Sequence, residues 1–134
     1  LISSIISGVR CLHMSKAISK SFIKSHKERL EKDKEKLLHQ IVELKKDDPF
    51  ADPDHVIDNA AIDTEVREQV GHDTIQAQVK DLERKLSDIE MAFVKISKNR
   101  YGYCEKCGVK IPVARINLIP EARFCITCEQ KLYK

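Results

Sequence analysis

Tryptophan is absent from this 134-residue chain, and Phe and Tyr together supply only 5% of it. So few large rings argue against a deep compact core, and the 34% of residues that are charged belong instead on exposed helices. Glycine and proline are scarce too, at four each, so there are few places where a helix must stop. No Gly-rich phosphate loop, nucleophile elbow or His-Glu-x-x-His pair occurs, which removes the usual signatures of nucleotide binding, serine hydrolysis and zinc proteolysis. Long apolar runs are missing as well. The mildly apolar start (Ile2, Ile5, Ile6, Val9, Leu12) is interrupted by Arg10 and several serines; it is too short to cross a bilayer and lacks the basic start of a signal peptide. Residues 1–15 are read as an N-terminal segment, either disordered or a mis-set start ahead of Met14, and residues 1–13 are given no function.

What the chain does contain is concentrated near its C-terminus. Cys104 and Cys107 are answered by Cys125 and Cys128, with residues 108–124 between the two pairs. Two Cys-x-x-Cys knuckles at such a spacing can close four thiolates tetrahedrally on one Zn²⁺. Gly108 follows the first pair where a sharp turn back toward the metal is needed. Four protein ligands leave no open position for water, so the metal is expected to be structural and the protein not an enzyme. The fifth cysteine, Cys11, stands apart. Metal-bound or free thiols suit a reducing compartment, and the expected location is the cytoplasm. The five histidines, at 13, 26, 39, 55 and 72, do not cluster with the cysteines.

Upstream, no Pro or Gly interrupts residues 16–46. Ile23, His26, Leu30, Leu37, Ile41 and Leu44 form a heptad seam with a polar gap near Asp33 and Lys34. Asp47-Asp48-Pro49-Phe50-Ala51-Asp52-Pro53-Asp54 breaks that helix. A second helix is expected from between Asp54 and Asn59 to about Lys98, weakened at Gly71, with Ile75, Val79, Leu82, Leu86, Ile89, Phe93 and Ile96 stepping by four and three. Joined by a short breaker, the two helices predict a mostly α chain. It comprises an antiparallel coiled-coil hairpin over 16–98 with its tip near 47–60, then a small four-cysteine zinc ribbon or finger over 99–134. Between the knuckles, Val109 to Ile111, Pro112 and Pro120 predict short strands and turns rather than helix.

Charge is distributed unevenly. Residues 16–47 carry ten Lys/Arg against six Asp/Glu, residues 48–73 one against eight, residues 74–98 five against four, and residues 99–134 seven against three. The net charge of +3 is too slight to argue for nucleic acid, whereas the acidic middle falls at and near the hairpin tip. Helix caps account for one or two of those acids, not for a net −7. Lys106, Lys110, Arg115 and Arg123 are read either as offsetting the thiolate charge or as a basic surface patch.

Tyr101-Gly102-Tyr103-Cys104-Glu105-Lys106-Cys107-Gly108, Ile111-Pro112, Arg115, Pro120-Glu121-Ala122-Arg123, Cys125 and Cys128 together resemble the TraR/DksA family of four-cysteine zinc-finger proteins. Asp58-Asn59-Ala60 resembles the family's Asp-x-Ala signature at the coiled-coil tip. The resemblance implies a bacterial regulator that binds RNA polymerase directly and inserts its tip, through Asp58 and Ala60, into the secondary channel to modulate initiation; Asp54, in the same acidic tip, is expected to contact the partner as well. A monomer is expected, with no sequence-specific DNA binding. Asp81 and Asp88 stand where alarmone-contacting members are expected to be basic, and the C-terminal helix is short, so alarmone binding is not expected. The tip motif also lies further from the cysteines than the family pattern implies, which predicts a longer or kinked stalk. Two alternatives remain open: a transcript-cleavage factor whose tip carboxylates position Mg²⁺, and a nucleic-acid-binding zinc ribbon with a dimerising coiled coil.

Overall fold

The computed structural model describes residues 18–53 and 62–134, which form four helices: α1 (Lys20–Lys46), α2 (Ile62–Ser97), α3 (Val113–Leu118) and α4 (Ile126–Leu132). α1 starts at Ser19, whose side chain accepts from the Phe22 amide at 3.2 Å and satisfies one of the donors that a helix start leaves unpaired. Lys45 and Lys46 lie in its last turn, favourable at the negative end of the helix dipole, and Asp47 caps it. The Asp-Pro breaker thus ends α1 where its chemistry requires. α2 runs without interruption through Gly71, so the weakening expected there does not break the helix.

The two long helices run antiparallel. Lys34 pairs with Glu90 (3.5 Å), Lys45 with Glu83 (3.6 Å), and Asp48 with His72 (2.8 Å), so rising numbers on one meet falling numbers on the other. Their seams face each other as heptad spacing demands. His26, Leu30 and Ile41 are buried on α1, and Val79 and Ile89 on α2. Ile23, Leu37, Leu44, Ile75, Leu82, Leu86, Phe93 and Ile96 are half-buried. Two buried residues of α2, Ala92 and Lys95, lie off that seam. With Asp88 they make a second stripe, at steps of four and three, that turns toward the C-terminal region.

α2 ends in a left-handed residue, Asn99 (φ 56°), and the Arg100 amide reaches back to the Lys95 carbonyl at 2.8 Å. This wrap satisfies carbonyls that the helix end would otherwise leave unpaired. The chain then enters a tight turn in which Cys104 N–H donates to Val109 (2.8 Å) and Ile111 N–H to Gly102 (2.7 Å). Tyr103 and Lys110 form an isolated antiparallel bridge.

Here one expectation needs correction. Among the described residues that bridge is the whole of the β-structure between the knuckles, and Val113–Leu118 is helical. Pro112 (φ −53°) precedes the first helical residue, and its carbonyl accepts from the Arg115 and Ile116 amides to open the turn. The turn buries Ile116 completely while leaving Leu118 outside, which a two-residue alternation would not do.

The core sits at this end of the molecule. Leu30 of α1 and Ile89 and Ala92 of α2 pack with Tyr101, Cys104, Ile111, Ile116 and Cys128. The stalk base and the cysteine-bearing region are therefore one packed unit. Tyr101 donates its hydroxyl to the Pro120 carbonyl at 2.9 Å, and burial pushes its phenol up to about 12, so it remains a donor at any working pH. His26 is held among Phe22, Tyr101 and Asn117: its ring nitrogens face the Phe22 carbonyl at 2.9 Å and Asn117 Oδ1 at 3.2 Å. Arg29 donates to the Asn117 carbonyl at 2.7 Å, tying α1 to the end of α3.

Candidate metal centre

Each knuckle delivers its sulfurs by a different local structure. In the first, Gly108 N–H donates to the Cys104 carbonyl (3.0 Å), and Gly108 itself is left-handed at φ 72°, the turn its small side chain permits. In the second, Cys125 is the N-cap of α4 and Glu129 N–H donates to its carbonyl, so Cys128 sits within the first helical turn. The four sulfurs all lie within 4.8 Å of one another. Cys107 and Cys125 Sγ are 3.7 Å apart, close to the edge of about 3.8 Å expected for a tetrahedron with bonds of about 2.3 Å to zinc. Among the described residues these four are the group so placed.

Electrostatics carry the same message. Burial raises the Cys104 thiol, but the backbone N–H groups of Cys107, Cys125 and Lys106 and the Cys107 side chain outweigh it, bringing the thiol down to about 6. Cys128 moves the other way, up to about 12, because the hydrogen bond with Cys125, burial, and the nearby Cys107 and Cys104 all oppose a further negative charge there. Four thiols at this distance cannot all ionise unaided, and a divalent cation removes the conflict. The donor set fits one structural zinc, which Cys104, Cys107, Cys125 and Cys128 would hold with every position filled by protein.

The surrounding ion pairs were not legible from spacing. Arg123 donates to Glu105 through Nε and Nη2 (2.9–3.1 Å) and to Asp88 at 3.3 Å, while its guanidinium lies 5.4 Å from the centre of the Phe124 ring. It links α2 to both knuckles. Arg115 pairs with Glu129, joining α3 to α4. These two arginines are engaged with carboxylates rather than forming an open basic patch. The cation beside Cys104 is instead Lys95, only 7% exposed, which donates to the Tyr103 carbonyl at 2.6 Å. Burial lowers its pKa, and the nearby Glu105 and Cys104 oppose that shift. A lysine off the main seam looks solvent-facing in sequence; the second stripe through Asp88 and Ala92 was the available clue.

Of the other residues singled out, Asp81 is exposed near Arg84 (3.8 Å) and Asp88 is engaged by Arg123. Asp54, Asp58 and Ala60 lie outside the described residues. No helix among the described residues is long and apolar enough to cross a membrane.

Residues 99–134 match the family described as the prokaryotic dksA/traR C4-type zinc finger. The chain is 36% identical over 81 residues to the RNA polymerase-binding transcription factor DksA of Escherichia coli K12, an alignment covering 60% of this chain and 47% of that protein. It is 43% identical over 47 residues to an uncharacterized protein of Aquifex aeolicus, covering 35% of this chain and 32% of the relative. The aligned region thus spans half or less of these relatives. In architecture the chain is similar to the transcription factor DksA2 from Pseudomonas aeruginosa, with a TM-score of 0.71 at 16% identity, covering 89% of this chain and 88% of the other. That likeness is one of fold.

Proposed function

We propose that this chain, whose residues 99–134 match the dksA/traR C4-type zinc finger, is a non-enzymatic regulator that binds RNA polymerase and acts through the far end of its stalk. The observation that carries this reading is the union of base and probe: the zinc-closed finger and the two long helices share one core. A stalk anchored in this way transmits the position of its base to its far end instead of swivelling on a linker. A loosely tethered zinc ribbon would lack that property.

In this reading the finger seats against the rim of the polymerase secondary channel, and the stalk carries Asp54, Asp58 and Ala60 toward the active centre to alter initiation. The net −7 of residues 48–73 suits a probe entering a basic or metal-bearing recess. The protein acts as a monomer, since the seams of α1 and α2 are already spent on each other. Its effect is independent of alarmone, because Asp88 neutralises Arg123 at the junction of finger and stalk. The site of action is the cytoplasm, and sequence-specific DNA contacts play no part.

The test is transcription in vitro from a stable-RNA promoter, together with co-purification on polymerase at moderate salt. The wild-type protein should bind polymerase and change transcript output, while Asp58→Asn should bind and lose most of the effect. Failure of the wild-type protein to bind would end the proposal. Release of short RNA from backtracked complexes would point to the cleavage-factor alternative.

A further inference from the structure

The far end of the stalk holds a carboxylate in an unexpected place. Asp48 follows the C-terminus of α1, where the helix dipole disfavours negative charge, yet its side chain is only 8% exposed. It accepts from His72 Nδ1 at 2.8 Å to each oxygen, from Gln76 Nε2 at 3.3 Å and from the Phe50 amide at 3.0 Å. The hydrogen bonds from Phe50 and His72 hold its carboxyl below the ordinary carboxylate range. Around this centre the contacts continue: the Phe50 ring lies 5.0 Å from the His72 ring, and the Pro49 ring rests over Gly71, where a Cβ would come within 3.4 Å of it. Residues 48–50 are thus folded down onto residues 71–76 of α2.

Above this point α1 has ended and α2 goes on. Residues 62–70 extend the helix by about 14 Å, and Ile62, Val66 and Val70 are exposed on it. The seam between α1 and α2 therefore does not reach the N-terminal turns of α2, and the polar cluster closes it.

We infer that the Asp48–His72 clasp, with Gln76 and the Pro49–Gly71 contact, is a positioning device that fixes how the chain leaves the two-helix stalk toward its acidic end. This rests on the proposed function, and it adds residues that neither the finger nor the Asp-x-Ala motif includes. Asp48 faces inward, so its part is to orient rather than to touch a partner. His72 supplies a donor to the carboxylate, and in its charged form an ion pair as well. Pro49 packs against α2 at Gly71.

The test uses the full chain with zinc bound, comparing Asp48→Ala, His72→Ala and His72→Gln with the wild type. Amide hydrogen exchange reads the clasp directly. In D48A and H72A, residues 71–76 should exchange about tenfold faster while residues 80–97 are unchanged; H72Q keeps a donor and should stay near wild type. Transcription reads the consequence: D48A and H72A should hold polymerase affinity within about twofold but lose about fivefold or more of the maximal effect, and H72Q should restore it. Unchanged exchange in D48A would overturn the clasp. Faster exchange with an undiminished transcriptional effect would overturn its positioning role. A wild-type protein that neither binds polymerase nor alters transcription would overturn the functional reading, and the exchange experiment would still decide on the clasp.

Discussion

At the base of the stalk, Leu30, Ile89, Ala92, Ile111 and Ile116 interlock around two of the four cysteines. At the other end the same two helices are fastened by one carboxylate, an imidazole, an amide and a proline ring. The first arrangement combines apolar burial with metal ligation, which together make a small unit rigid. The second is polar, partly exposed and narrow, the kind of contact that opens locally without unfolding its surroundings. The finger end is thus interlocked through apolar volume and the other end through a few directed polar contacts.

The comparison is broken most severely by removing the metal. Structural zinc is worth about 10–16 kcal/mol in isolated finger peptides, so chelation, or Cys104→Ser, should abolish the ordered finger. Because Leu30 shares its core, the first part of α1 should loosen as well, while the far half of the stalk stays helical. Circular dichroism and amide exchange of residues 20–30 against 36–46 and 72–83 would check this; uniform loss of helix throughout would contradict it.

Next in size are substitutions in the base. Ile116→Ala and Leu30→Ala should each cost about 2–5 kcal/mol, whereas Leu38→Ala and Val42→Ala, exposed on the stalk, should stay within about 0.5 kcal/mol. Denaturant midpoints of the zinc-loaded protein would measure both. Gly102→Ala should cost roughly 1–3 kcal/mol, because Gly102 sits at φ 86° and a Cβ there would collide with Ile18.

At the far end the sign reverses. Gly71→Ala adds helix propensity of up to about 1 kcal/mol and meets Pro49 only at contact distance, so it should raise the melting temperature slightly. The smallest effect is acid opening of the clasp. Asp48 has a depressed carboxyl in the folded state, so its contribution is complete above the unfolded value of about 3.9 and disappears as pH falls through the lower folded one. The Phe50 amide resonance should follow that titration with a midpoint below about 3.9, and Asp48→Asn should remove it.

Much was legible in advance, for reasons that differ by region. Thiolate pairs have few alternative uses, so their spacing alone pointed to the metal. Heptad steps at Ile75, Val79, Leu82 and Ile89 can be buried together only on a helix, so the stalk could be read from them. The region between the knuckles, expected as short strands and turns, holds the helix α3 as well; it is too short for periodicity to discriminate, and the turn opened at Pro112 decided it locally. Lys95 was overlooked because a charged side chain is ordinarily solvent-facing, and here the Tyr103 carbonyl, Glu105 and Cys104 together make its burial tolerable.

What the amino-acid order determined by itself was therefore periodic or stoichiometric: two helices, a break at Asp47–Pro53, and four sulfur ligands. What only the tertiary structure decided was which residues distant in the chain share charge and volume. Asp48 reads as one acid among eight in its stretch until α2 brings His72 and Gln76 beside it. Arg123 reads as a basic surface residue until Asp88 and Glu105 meet it. The physical reason is that heptad steps and ligand spacings act over a few residues, whereas a polar cluster depends on which carboxylate, donor and cation the fold has brought within hydrogen-bonding distance.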